Sequence, residues 1–226
     1  MENVDLWRND IREYEAAYLI SELVGQAQKV LIVGPSWGRD FYTLAELGKQ
    51  VLNMDIALQR HLPAMVQGDA SRGFPFPTHF FDAVVMSEVL EHLIEDWVAL
   101  EEAHRVLKDN GRLIVTVPFY SDQPLYHVRI HSSKTILRLL AASGFSADRI
   151  IYRGGVCIRF PRLVHAIRRF LSPVRLSTAW YRAAVMMDRW WGEQRWSQRW
   201  AKGAYILARK GESLNWRQIN VEEFQH

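Results

Sequence analysis

A single cysteine, Cys157, stands in the whole chain of 226 residues. That excludes an intramolecular disulfide and any cysteine-based zinc cluster, and it fits a reducing compartment. Uncharged apolar runs long enough to span a bilayer are absent as well. The opening residues, Met1-Glu2-Asn3-Val4-Asp5, lack the basic and apolar regions of a secretory leader. A cytoplasmic protein is expected, free to sit peripherally at the inner face of a membrane. Neither internal repeats nor low-complexity tracts occur.

Strong net charge is missing too, but only on the surface of the count. The total is +3. Arg149 to Lys202 hold eleven arginines and one lysine against Asp188 and Glu193, or +10, which leaves −7 for the remainder. Such asymmetry bears on partners. Apolar residues make up 49% of the chain, enough for one large core. The length suits one α/β domain with an insertion or appendage.

Lys29 to Asp55 organises what is there. Lys29-Val30-Leu31-Ile32-Val33 is a short, β-branched apolar run suited to a strand covered on both faces. Gly34-Pro35-Ser36-Trp37-Gly38 breaks it, a helical pattern follows to Gly48, and Val51 to Asp55 reads as the next strand. This is half of a nucleotide-binding fold, with ligand expected beyond the carboxyl ends of the strands. A dinucleotide fingerprint would need further glycines at Ser36 and Arg39, which argues against NAD.

Before this unit, residues 5–28 carry a helical pattern expected to pack beside the first strand. Beyond it the reading is a short helix over Ile56–Leu62, strands at Met65–Gln67, Phe81–Met86, Arg112–Pro118, Asp148–Tyr152 and Tyr205–Ala208, and helices from Asp96 to Leu107 and from a Ser133 cap to Ser143. Strands alternating with helices predict an α/β, mostly parallel sheet covered on both faces.

The succession VLIVGPSWG, Asp55, GDA at Asp69, FDAVVMSEVLEHL, RVLKDNGRLIVTVP and HSSKTILRLLAASGF resembles the class I S-adenosylmethionine-dependent methyltransferases. More narrowly it resembles their small-substrate, type 11-like group. The resemblance covers about Lys29 to Phe145 and resumes near Tyr205. It implies a Rossmann-like methyltransferase fold of seven strands, mostly parallel, with the last strand antiparallel and inserted between the fifth and sixth. It implies S-adenosyl-L-methionine as cofactor. Gly34, Ser36 and Gly38 would lie against its methionine and ribose, Asp55 would accept both ribose hydroxyls, and Ile56 would pack on the adenine. Asp69 and Ala70 would read the adenine edge, and Ser87 and Glu88 would line the methyl-donor pocket. The plainer alternatives are a strand-end cap for Asp55 and an Asx-turn for Asp69. The chain departs from the family pattern at Ile32, where an acid is common, and at Ser36, where glycine is.

Methyl transfer needs positioning and exclusion of water rather than a dedicated nucleophile, so no metal is expected. A hydroxyl acceptor calls for a general base. His127 and His131, in the loop after the fifth strand with Tyr120 and Asp122, are the candidates; solvated or hydrogen-bonded surface histidines are the alternative. Glu91 and His92 read as anchors of the helix after the fourth strand rather than as catalysts.

The domain plan is a helical cap at 1–28, the cofactor domain at 29–153, a basic, tryptophan-rich helical insert at 154–202, and a last strand and tail at 203–226. In the insert, Phe160, Leu163, Val164 and Ile167 fall on one helical face, with Arg162, His165, Arg168 and Arg169 on the other. Trp180, Trp191, Trp196 and Trp200 follow, interleaved with arginines. Three readings stand open: a packed lid, a segment facing anionic lipid, and a nucleic-acid surface. Basic residues alternating with a continuous apolar stripe favour membrane or a lipid-linked substrate over RNA. The expected function is methyl transfer to a small-molecule or lipid- or glycan-linked acceptor, at oxygen. An RNA methyltransferase and a non-catalytic cofactor-binding protein are the alternatives.

Overall fold

A computed structural model describes residues 10–119, 126–170 and 174–211. The elements in order are α1 (Ile11–Val24), β1 (Lys29–Val33), α2 (Arg39–Glu46), β2 (Gln50–Asp55), β3 (Met65–Gln67), β4 (Phe81–Ser87), a 3-10 turn at Leu90–His92 and α3 (Asp96–Val106). They continue with β5 (Leu107–Pro118), α4 (Ser133–Ala142), β6 (Phe145–Arg153), α5 (Val156–Arg159), α6 (Pro161–Phe170), α7 (Val174–Gly192), a 3-10 turn at Arg195–Trp200 and β7 (Gly203–Lys210).

The seven strands form one sheet in the order β3-β2-β1-β4-β5-β7-β6. β1 pairs in parallel with both β2 and β4, and β4 with β5. β7 runs antiparallel between β5 and β6. Strand order reverses at β1, so a crevice opens there beyond the carboxyl ends.

Alternation along β1 shows why that strand is apolar throughout. Leu31 and Val33 enter the core beneath α3 and α4, while Val30 and Ile32 enter the core beneath α1 and α2. Ile32 is fully buried there, where an acid would sit without water. A third, smaller core joins α1 to the insert through Ile11, Cys157, Val164, Tyr181, Ala184 and Val185. The N-terminal helix therefore packs on both sheet and insert.

Three local expectations shift. Residues 56–62 form turns, not a helix; of its large apolar residues only Leu62 is buried, with Ile56 and Leu58 exposed, so no face holds a helix that short. The cap of α4 is Ser132, one residue earlier than expected, in a reciprocal box with Thr135; Ser133 instead bonds the Tyr152 hydroxyl at 2.8 Å. In α6, Val164 is buried as expected, but Leu163 is exposed, as is Phe160 just before the helix. His165 and Arg168 turn inward against Tyr181, with Tyr181 Oη 2.5 Å from His165 Nδ1 and the Arg168 guanidinium 4.4 Å from the ring centroid. Leu6, Tyr120 and Asp122 lie outside the described residues. No helix among the described residues is long and apolar enough to cross a membrane.

Candidate cofactor and acceptor site

A cavity of about 1230 Å³ opens at the carboxyl ends of β1, β2 and β4. The glycine turn after β1 forms one wall. Gly34 has φ +66, and a Cβ there would meet Val89 Cγ2 at 2.8 Å. Its N–H donates to the Met54 carbonyl at 2.8 Å, tying the turn to β2. Gly38, at φ +91, caps α2, and a Cβ would collide with Leu62. Between them Ser36 also has φ +50, a left-handed backbone that glycine adopts without cost. That is the physical reason a glycine suits this position. Here Ser36 bears the strain.

Asp55 ends β2 at the cavity, its Oδ1 accepting from the Ala57 N–H at 3.2 Å. Ile56 beside it is 66% exposed on the cavity rim, an apolar surface free to stack on a planar ring. Gly68 makes room in the floor: a Cβ would lie 2.9 Å from Met54 Sδ. Asp69 and Ala70 line the same end. Asp69 Oδ1 accepts from Ser71 N–H and Oγ–H at 2.9 and 2.6 Å, bonds that hold its pKa below the usual carboxylate range. The Asx-turn therefore exists, and the carboxylate lies at the cavity nonetheless.

Ser87 and Glu88 close the end of β4. Ser87 Oγ is buried with no hydrogen-bond partner among the described residues, and Glu88 adopts φ +56. The Glu88 N–H donates to Thr116 O at 3.0 Å, and its carboxylate takes the Arg153 guanidinium and the Thr116 hydroxyl. A non-glycine residue held left-handed beside an unbonded buried hydroxyl is the kind of strain that clusters at ligand sites.

The 3-10 turn brings in residues that sequence reasoning treated as anchors. Glu91 is 1% exposed, lines the cavity, and has neither carboxylate oxygen hydrogen-bonded among the described residues. Burial first, then the Glu88 charge, push its pKa up to about 8. His92 stacks on Tyr126 at 5.5 Å and meets the His127 ring edge-on at 4.7 Å. His127 lines the cavity with its Nδ1 buried and unbonded among the described residues, and burial with the neighbouring His92 lowers its pKa. His131 lies elsewhere. It is 5% exposed, its Nε2 is 3.8 Å from Asp96 Oδ2, and it is outside the cavity lining. Burial lowers its pKa against the pull of Asp96.

Glu13, Arg39 and Asp40 also reach the cavity. Arg39 donates to Glu13 at 2.8 Å and to Asp40 at 2.7 Å. Only the position of Arg39, just past the glycine turn, hinted at this; Glu13 arrives from a helix remote in sequence.

A second cleft, about 590 Å³, lies in the insert, walled by Phe160, Met187, Trp190, Trp191 and Trp200, with Gly154 and Gly155 at its base. Gly154 directly follows Arg153, so the cleft begins one residue beyond a group that holds the cavity wall.

The cavity fits S-adenosylmethionine. Glu13, Asp40, Asp55, Asp69 and Glu88 face it against Arg39 and two histidines, a field suited to a sulfonium cation. A carboxylate beside an exposed apolar side chain suits a ribose joined to a planar base. At about 1230 Å³ it exceeds the roughly 300–1,000 Å³ typical of one ligand, which leaves room for an acceptor.

A reversed-order sheet with this cavity at its switch point defines a class: the class I S-adenosylmethionine-dependent methyltransferases. Part of the chain matches a family model of that kind. Residues 31–115 match the methyltransferase domain family, in its type 11 group. Among curated proteins, the chain is 30% identical over 101 residues to the ubiquinone/menaquinone biosynthesis C-methyltransferase UbiE of Coxiella burnetii, covering 45% of this chain and 37% of that one. It is 33% identical over 107 residues to the demethylmenaquinone methyltransferase of Paenarthrobacter aurescens, covering 44% and 42%. The chain thus spans about two fifths of the length of the curated relatives it matches. Similar solved structures include the [4+2]-cyclase SpnF, with 21% identity, TM-score 0.61 and coverage of 88% and 81%. Another is the Burkholderia thailandensis 1,6-didemethyltoxoflavin-N1-methyltransferase with bound 1,6-didemethyltoxoflavin and S-adenosylhomocysteine, with 18% identity, TM-score 0.59 and coverage of 92% and 82%.

Proposed function

We propose that the chain transfers a methyl group from S-adenosylmethionine to an oxygen of a small-molecule or lipid- or glycan-linked acceptor whose apolar part lies in the Phe160–Trp200 cleft. The observation that carries this reading is the large, acid-rich cavity at the carboxyl ends of β1, β2 and β4, which suits the cofactor with space to spare. The separate aromatic cleft in the insert supplies an apolar surface, and Gly154 in its lining is the residue after Arg153 in sequence.

The bound cofactor supplies an activated methyl, so the chain's task is to place and dehydrate the acceptor. Gly34, Ser36 and Gly38 allow close backbone approach, Asp55 takes the ribose, and Ile56, Asp69 and Ala70 take the base. Ser87 and Glu88 then stand at the methyl end. Glu91 and His127 face the space left for the acceptor. Relatives named for ubiquinone/menaquinone biosynthesis and for demethylmenaquinone support a small, apolar acceptor; the first is named a C-methyltransferase, so transfer to oxygen is this reading's own element.

Exposed Trp190, Trp196 and Trp200, with Phe160, Leu163, Met186 and Met187, support contact of the insert with a lipid surface. Arg195 and Arg199 lie among them.

The test is transfer itself, since the same fold serves a cyclase. The full chain is incubated with S-adenosylmethionine carrying a labelled methyl and with polar and organic fractions of a cell extract. Label should enter an organic-extractable compound and be stable as an ether or ester. Binding of S-adenosylhomocysteine without product formation from any fraction would refute the reading.

A further inference from the structure

We propose that Glu91, His92 and His127 form a binding site for a divalent first-row transition metal on the acceptor side of the cavity. A carboxylate oxygen and two imidazole nitrogens there lie within 4.8 Å of one another. Spacing along the chain does not reveal this set, because His127 lies 35 positions from His92 and meets it only in the folded protein.

Two features independent of the clustering point to a ligand. The Glu91 side chain is 1% exposed, yet neither of its carboxylate oxygens has a hydrogen-bond partner among the described residues. A buried carboxylate in that state carries a heavy desolvation cost unless a cation compensates it. His127 presents a buried and equally unbonded Nδ1. In addition, His92 Nδ1 is 3.4 Å from the Tyr126 carbonyl. A ring that donates there offers its Nε2 lone pair outward, as the outer shell of a metal site usually arranges.

Ligand chemistry selects the ion. Two imidazoles with one carboxylate suit zinc, manganese or iron better than magnesium or calcium, which prefer all-oxygen shells. Three protein ligands leave coordination positions open, the pattern of catalytic rather than structural sites. The open side faces the cavity that Glu91, His92 and His127 all line.

Resting on the methyltransferase reading, the ion's role is to coordinate the acceptor hydroxyl. Coordination lowers the hydroxyl pKa, the proton leaves to solvent, and the oxygen stays on the metal as the nucleophile. A separate general base is then not needed: His127 holds the ion, and His131 lies outside the cavity.

The experiment treats the full-length chain with chelator, removes it, and titrates zinc, manganese and magnesium chlorides by calorimetry, with and without S-adenosylhomocysteine. One zinc or manganese ion should bind per chain, at least tenfold more tightly than magnesium. E91Q and H127Q should each weaken it at least tenfold. His92 is exposed, so H92N keeps the fold and should show the same loss if either buried variant fails to fold. Absence of saturable binding at millimolar metal, or unchanged affinity in H92N, overturns the proposal. Metal binding without S-adenosylhomocysteine binding would instead refute the methyltransferase reading and leave the site standing.

Discussion

Arg153, the last residue of β6, sets its guanidinium against the Glu88 carboxylate at the end of β4, across two intervening strands of the sheet. Glu88 holds a left-handed backbone, φ +56, and a carboxylate accepting from Thr116 as well. The ion pair thus fixes the cavity wall at the end of β4. Its side chains are 22% and 38% exposed, so its removal should cost less than the roughly 3–5 kcal/mol of a fully buried pair.

R153M should therefore lower stability by about 1–2 kcal/mol and weaken S-adenosylhomocysteine binding, because Glu88 is left charged and free to turn. Adding E88Q should recover part of the stability loss, since the two changes share one contact. Denaturant melts of both single variants and the double variant check this. Strict additivity would show that the pair does not act as a unit.

Asp55 tests the cofactor end. D55N keeps an oxygen able to accept from the Ala57 N–H, which now bonds Oδ1 at 3.2 Å, so the turn after β2 survives. It loses the charge that would hold the ribose hydroxyls. Hydrogen bonds to a charged group are worth about 1.5–3 kcal/mol. Calorimetry should accordingly show S-adenosylhomocysteine binding roughly tenfold to a hundredfold weaker, with the melting temperature of the free protein unchanged.

Why Asp55 was legible and Glu91 was not follows from what each depends on. Asp55, Gly34 and Ser87 sit at strand ends, and apolar runs with period-two burial mark strand ends within a residue or so. The sheet itself was readable for the same reason: Leu31 and Ile32 are apolar in succession only because both faces are covered. Seven strands, with the last antiparallel and inserted, followed from the family resemblance. Glu91 depends on burial inside a three-residue turn, and its isolation is a tertiary fact with no local pattern. Glu13 reaches the cavity from α1, through a contact with Arg39 26 positions away. The facing of α6 was misjudged because Tyr181, on α7, takes both His165 and Arg168. A single helix read alone assigns those polar residues to water.

Glu15 makes the stability of the fold fall with pH. It is 2% exposed on α1, its Oε2 has no partner among the described residues, and burial with the nearby Asp188 raises its pKa from 4.5 to about 8. Arg153 on β6 opposes that shift, and Cys157 and Tyr205 complete its surroundings. Between pH 4.5 and about 8, the unfolded chain has lost this proton while the folded chain keeps it. Stability from this group is thus full below pH 4.5 and declines by about 1.4 kcal/mol per unit through the window. E15Q should flatten that decline and melt higher than the parent at pH 8, with the two converging near pH 5. Thermal melts across that range decide it, and parallel pH profiles for the two proteins would refute it.

Trp190 and Trp200 carry the last prediction, because they serve two purposes that respond differently. Both wall the cleft, and both are largely exposed, at 64% and 58%. If the insert meets a lipid surface, the full chain should float with vesicles containing anionic lipid and much less with neutral ones, and added salt should release it. W190A with W200A should reduce flotation at every salt concentration, since the lost term is apolar. Charge variants such as R195Q and R199Q should instead reduce the salt dependence. Both side chains lie at the surface, so the double tryptophan variant should melt close to the parent. Equal recovery of parent and tryptophan variant with anionic vesicles would remove the membrane from the insert's role and leave the cleft as a site for the acceptor alone.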